Sequence, residues 1–195
     1  MNIFALDAQP KLAAQYHCDK HVVKMILESC QLLSTAHRVL NGTMVVEKSK
    51  TGRNVKRYKL HDPVAESLLY SATHINHPSA VWCRSHLDQY NWLALLTYEL
   101  CKEYTHRYGK IHKCEQTGMV QWFLNNAPKN IHAHFNWTLP TPAMDKIYLI
   151  HNSNYTLNVV ESYRNYYVKA KSHLADWSGK INGRPTPLWY LEKVC

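Results

Sequence analysis

Apolar and polar positions follow helical spacing over most of this chain. Between residues 19 and 40, Val22, Val23, Met25, Ile26, Leu32 and Leu33 flank a polar stripe. His17, His21, Lys24, Glu28 and Gln31 recur at steps of four, three, four and three, which on an α-helix draw one narrow line along one side. An ordinary surface helix has the reverse order, apolar residues at that spacing and mixed charge opposite. A short amphipathic segment, residues 11–16, precedes the striped helix, and Asn41-Gly42 predicts its stop.

The next segment changes period. Residues 43–47 and 54–58 predict two strands around Lys50-Thr51-Gly52. Asp62-Pro63 reads as an N-cap followed by proline at the first helical position, opening a helix to about residue 72. Pro78 opens the longest predicted helix, residues 79–108, with Leu87, Tyr90, Leu93, Ala94, Thr97 and Cys101 inward and Gly109 as its stop. A short helix is expected at residues 119–125 and an extended connection over residues 126–156, where Pro128, Pro140 and Pro142 fall. A last strong helix is expected at residues 158–177, then an extended aromatic tail at 184–190. The fold class this implies is mainly α: a single compact helical domain over residues 1–195, with five or six helices and one small basic hairpin.

Composition narrows the class. No run of eighteen apolar residues occurs, so no membrane span is expected. The start Met1-Asn2-Ile3-Phe4 lacks the basic-then-apolar order of a signal peptide, which points to a soluble cytoplasmic protein. None of the six cysteines forms a C-x-x-C pair, and buried reduced thiols are expected. Lys and Arg number 23 against 14 Asp and Glu, a net +9 that favours a polyanionic partner, DNA first. Thirteen Tyr and six Trp against three Phe supply flat faces with polar edges, suited to stacking on bases as well as to cores.

Candidate chemistry falls into four sets. Glu28, Lys24 and His21 on the stripe combine a carboxylate, an ammonium and an imidazole, able to move protons and hold anions; a solvated face and a structural network are the other readings. Trp82 and Arg84 could stack on a base and hold a phosphate. Glu103, one turn before Arg107, is a second general acid or base if its pocket is dry. Tyr163, Arg164 and Tyr167 interleave aromatics with a cation, and Lys56 and Arg57 in the basic hairpin could follow a phosphate backbone. No metal site is expected: the i,i+4 pair His17 and His21 lacks the H-E-x-x-H pattern, and Lys20 and Lys24 would oppose a cation there. No cofactor is expected either, since glycine-rich phosphate loops, G-x-S-x-G and dinucleotide fingerprints are absent.

Two resemblances add to this reading. Met1-Asn2-Ile3-Phe4, the run from Asp19-Lys20-His21 to Met25, His77-Pro78-Ser79-Ala80-Val81-Trp82 and the run from Glu103-Tyr104-Thr105 to Lys110 resemble a widespread family of small phage and bacterial helical proteins with no settled activity. For a phage-encoded chain the compartment would be the host cytoplasm. Leu12-Ala13-Ala14-Gln15, Arg184-Pro185-Thr186 and Trp189-Tyr190 resemble pyrimidine-dimer DNA glycosylases of the endonuclease V type, which are compact, helical and basic. That resemblance implies attack on the damaged nucleotide by the amine of the residue after the initiator Met, assisted by a Glu on the first long helix. Here that residue is Asn2, an unfavourable context for Met removal. The ungapped counterpart of the Glu is Val23, and Glu28 takes the role only if the helix is shifted by more than a turn.

Together these features predict an enzyme acting on DNA or its bases, by glycosidic-bond cleavage or base modification. The alternatives are a nucleotide hydrolase with a histidine-bound metal and a non-catalytic nucleic-acid or host-protein binder. The oligomeric state is left open.

Overall fold

Two long helices, α2 (Asp19–Asn41) and α5 (Leu87–Tyr108), pack against each other through Val22, Ile26, Leu33, Leu93 and Leu100, all fully buried. The computed structural model describes residues 1–194. Around this pair lie α1 (Pro10–Tyr16), α3 (Pro63–Leu68), α4 (Pro78–Ser85), α6 (Lys113–Gln116), α7 (Met119–Asn125), α8 (Val159–Ala170) and α9 (Leu188–Val194). The strands are confined to two antiparallel pairs, β1 (Thr43–Lys48) with β2 (Asn54–Lys59), and β3 (Ile150–His151) with β4 (Leu157–Asn158). The molecule is mainly α, as predicted. Nine helices among the described residues replace the expected five or six, because several are single-turn or two-turn pieces.

Local signals set many boundaries. Asp62 caps α3 by accepting from the backbone N–H of Val64 at 2.9 Å. Gly109 ends α5 at φ 63°, where a Cβ would meet Ile181 Cδ1 at 2.4 Å. The hairpin pairs Thr43 with Lys59 through Lys48 with Asn54, and Gly52 turns it at φ 78°.

Other boundaries depend on distant residues. The single helix expected over residues 79–108 is two: His86 is extended (φ −144°, ψ 152°), and Leu87 N donates to His132 O at 2.9 Å. α3 stops at Leu68, short of residue 72, because the Leu69 and Tyr70 carbonyls turn to the Arg38 guanidinium at 2.8 and 2.6 Å. α8 ends at Ala170, and Trp177, the expected last residue of that helix, instead donates from Nε1 to Tyr16 O at 3.0 Å. The aromatic tail, expected extended to residue 190, becomes helical from Leu188.

Two features hold the start of the chain in place. Ile3, Phe4, Ala5 and Leu6 are buried, and the Phe4 ring packs among His17, His21, Tyr163 and Tyr167. Nearby, Arg107 is fully buried and donates to Glu103, Asp19, His17 O and Gln15 O at 2.7 to 2.9 Å. Four of the five N–H donors of this guanidinium meet an oxygen, which offsets most of the cost of burying its charge. The clasp ties the α1–α2 junction to the end of α5.

The five cysteines among the described residues, Cys18, Cys30, Cys83, Cys101 and Cys114, are buried free thiols, and Cys195 lies outside them. No described helix is long and apolar enough to cross a membrane.

Candidate active site at the chain start

Glu28 lies at the middle of α2, on the side that the first residues of the chain cross. Its Oε2 accepts from the backbone N–H of Asn2 at 3.1 Å and stands 3.9 Å from the Met1 amine. Lys24 Nζ approaches the other carboxylate oxygen at 3.3 Å from the solvent side. The Glu28 side chain is 14% exposed and Lys24 67%, so the carboxylate is sheltered while the lysine is free to move.

Asn2 is fixed at both ends of its side chain. Oδ1 accepts from its neighbour Ile3 N at 2.9 Å and from Tyr163 OH at 2.8 Å, while Nδ2 donates to Ala143 O at 3.1 Å. With Ile3 to Leu6 in the core, the main-chain nitrogen of residue 2 has little freedom to leave Glu28. His77, the N-cap of α4, completes the surroundings: burial lowers its pKa first, then the chain-start amine and His74, against the opposing pull of Glu28.

The structure divides the polar stripe. Its lower part is core. His17 Nδ1 donates to Ala13 O at 2.7 Å, and burial lowers the ring's pKa to about 4. His21 stacks on Phe4 with centroids 4.5 Å apart and shares a 2.5 Å hydrogen bond with Tyr167 OH. Burial, then the neighbouring cations, lower its pKa to about 3, so it is a neutral packing ring and not the acid–base partner expected of it. Only Lys24 and Glu28 remain together at the surface. Val23, the ungapped counterpart of the family carboxylate, is exposed and apolar.

Glu103 also takes a different role. Burial raises its pKa, but Arg184 and Arg107, at 3.0 and 2.7 Å, outweigh this and hold it below the usual carboxylate range. It is an ionised structural group, which removes it as a general acid. Tyr163 and Tyr167 are buried with their hydroxyls engaged by Asn2 and His21, so neither offers a face for stacking. Trp82 is buried too, its Nε1 donating to Thr138 O at 3.2 Å. Arg84 donates to Ile75 O at 2.7 Å and holds the loop before α4. Arg164 joins Leu6 O, Glu161 and Asp7 and lies over the rings of Tyr16 and Trp189. Lys56 is exposed and Arg57 half-buried on β2, both outside any close ion pair among the described residues. Also among these residues, no group of three or more His, Cys, Asp or Glu side chains is gathered to hold a metal ion, and His17 and His21 recruit no third ligand.

The family model of pyrimidine dimer DNA glycosylases matches residues 1–116, which include α1, α2, α4, α5 and both Asn2 and Glu28. The chain belongs to that family. No curated protein and no solved structure matches the chain. Membership supports a glycosylase-like function and DNA as the substrate. The signal that sequence spacing alone missed is the insertion of residues 3–6 into the core, which delivers residue 2 to Glu28 and not to Val23.

Proposed function

We propose that the protein is a DNA glycosylase that cleaves the glycosidic bond at a pyrimidine dimer with the amine at the start of the chain, Glu28 acting as its proton acceptor and donor. The amine attacks C1′ of the damaged nucleotide, the C1′–N bond breaks, and the electron pair leaves with the base. Loss of the amine proton to Glu28 and opening of the sugar ring give an imine between C1′ and the protein. Glu28, returning the proton, serves the leaving base or the sugar ring oxygen.

The observation that carries this reading is the single carboxylate oxygen within 3.1 Å of the Asn2 nitrogen and 3.9 Å of the Met1 amine, in a chain of this family. In the described chain the free amine is that of Met1. Removal of Met1 would turn the Asn2 nitrogen into the amine already hydrogen-bonded to Glu28. Lys24 holds Glu28 from the solvent side, and the hairpin cations Lys56, exposed, and Arg57, half-buried, would lie along phosphates.

An imine is reducible. Incubation with ultraviolet-irradiated duplex DNA and borohydride should yield a stable protein–DNA adduct, and chemical acetylation of the chain-start amine should prevent it. Base release without any trapped adduct would refute amine catalysis.

A further inference from the structure

Residues 143–163 leave the amine site and return to it. Ala143 O accepts from Asn2 Nδ2 at 3.1 Å, and Tyr163 OH donates to Asn2 Oδ1 at 2.8 Å. Between these two grips the chain projects as the β3–β4 hairpin. The base of this arm is fastened to α8: Ile150 N donates to Ser162 Oγ at 2.8 Å, and Asn165 Nδ2 donates to Tyr148 O at 3.0 Å. The whole arm lies beyond residue 116, outside the stretch that matches the family.

The tip of the arm is braced and neutral. Asn152 N donates to Thr156 O at 2.8 Å, and Tyr155 N donates to Asn152 O at 2.9 Å. Asn154 Oδ1 accepts from Thr156 N at 3.2 Å and from Thr156 Oγ1 at 2.7 Å, and Asn158 Nδ2 donates to Asn152 Oδ1 at 3.2 Å. This bracing holds Tyr155 at φ 62°, a left-handed backbone that bulky residues rarely adopt, and leaves the residue 89% exposed. Residues 147–160 contain no Lys, Arg, Asp or Glu, in a chain of net charge +9. A surface that tracks phosphates carries cations. This one offers an aromatic face and amides, the groups that stack on bases and bond their edges. Three residues of loop and strand and five of helix separate Tyr155 from Tyr163, at most about 18 Å of chain, or roughly five base steps.

We propose that the arm docks on the DNA flank within about five base pairs of the attacked nucleotide, where Tyr155 stacks against a base and opens that step. The proposal rests on the amine reading above, because both roots of the arm hold Asn2 beside that amine. It adds a contact to undamaged bases, apart from the nucleotide undergoing cleavage. The contact fixes how the duplex lies relative to Glu28, so it acts through affinity and not through the chemical step.

The test uses a duplex with one pyrimidine dimer and 2-aminopurine, a fluorescent adenine analogue that brightens on unstacking, placed in turn at the positions flanking the dimer. Wild-type protein should brighten it in one flank only. Tyr155→Gly, which suits the left-handed backbone, and Tyr155→Ala should both abolish that signal, and each should weaken binding about five- to hundredfold, the loss of one ring stacked on a base. Tyr155→Phe, which keeps the ring, should retain both. Binding is read in Glu28→Gln protein so that no cleavage intervenes; with Glu28 intact, the single-turnover rate at saturation should stay within about twofold of wild type. Unchanged affinity with no brightening overturns the arm and leaves the amine reading standing. Self-association that is lost on Tyr155→Gly, with DNA affinity unchanged, also overturns it and assigns the tip to a protein contact. Brightening that depends on Tyr155, in a protein that yields no borohydride adduct, overturns the amine reading alone.

Discussion

Replacing Glu28 by Gln separates chemistry from architecture at this site. The amide keeps an oxygen where Oε2 accepts from Asn2 N–H at 3.1 Å, so the start of the chain stays anchored. What is lost structurally is the long 3.9 Å attraction to the Met1 amine and that to Lys24, whose side chain is 67% exposed, a pair of the kind worth a few tenths of a kcal/mol in water. Stability should therefore change by less than about 1 kcal/mol in urea unfolding. What is lost chemically is the carboxylate that faces the amine and can take and return its proton. Removing a positioned general base typically costs about 10²- to 10⁴-fold, or roughly 3 to 5 kcal/mol of barrier. The assay is single-turnover cleavage of an end-labelled duplex carrying one pyrimidine dimer, with the protein in excess. A Glu28→Gln protein that folds normally and cleaves within threefold of wild type would refute the assignment.

Three further outcomes follow from the same geometry. Arg107→Met leaves Glu103 and Asp19 without their shared buried cation; it should cost about 3 to 5 kcal/mol, lowering the thermal midpoint by about 6 to 20 °C in calorimetry, and a shift under about 3 °C would contradict the clasp. His17 and His37 titrate near 4 and His21 near 3 in the folded chain, against an ordinary value of 6.5, so the unfolded chain binds more protons in between. Stability should be level above pH 6.5 and fall by about 1.4 kcal/mol per pH unit per histidine below it, until the folded-state values are reached; equal urea midpoints at pH 7.5 and 5 would contradict the buried neutral rings. The double substitution Lys56→Ala/Arg57→Ala should leave the thermal midpoint in place and reduce the salt slope of DNA binding by about 2, one per lost phosphate contact, and an unchanged slope would place the hairpin off the DNA.

How legible these features were depends on the range of the interactions behind them. The hairpin, the Asp62 cap and the Gly109 stop are settled within a few residues, and they could be read from spacing alone. The break at His86 could not, because its cause is the His132 carbonyl 45 residues after Leu87. Glu28 stood out as one member of a polar stripe, and of the companions the stripe gave it Lys24 stays beside it while His21 turns into the core. Helical periodicity shows that His21, Lys24 and Glu28 share a side; it carries no information on which part of that side Phe4 will cover. Glu103 and Arg107 showed their i,i+4 spacing, yet the partner that fixes Glu103 as structural, Arg184, lies 81 residues away. The apolar run Ile3 to Leu6 was short enough to pass as an ordinary chain end, although its burial is what brings the main-chain nitrogen of residue 2 to Glu28.

The account depends on where DNA becomes attached when the imine is reduced. Tryptic digestion and tandem mass spectrometry of the borohydride-trapped adduct would locate it. The structure predicts that the sugar remnant sits on the first peptide, residues 1–11, at the Met1 amine, or at the Asn2 amine in chains that have lost Met1. A remnant on Lys24 or on any other lysine side chain would contradict it.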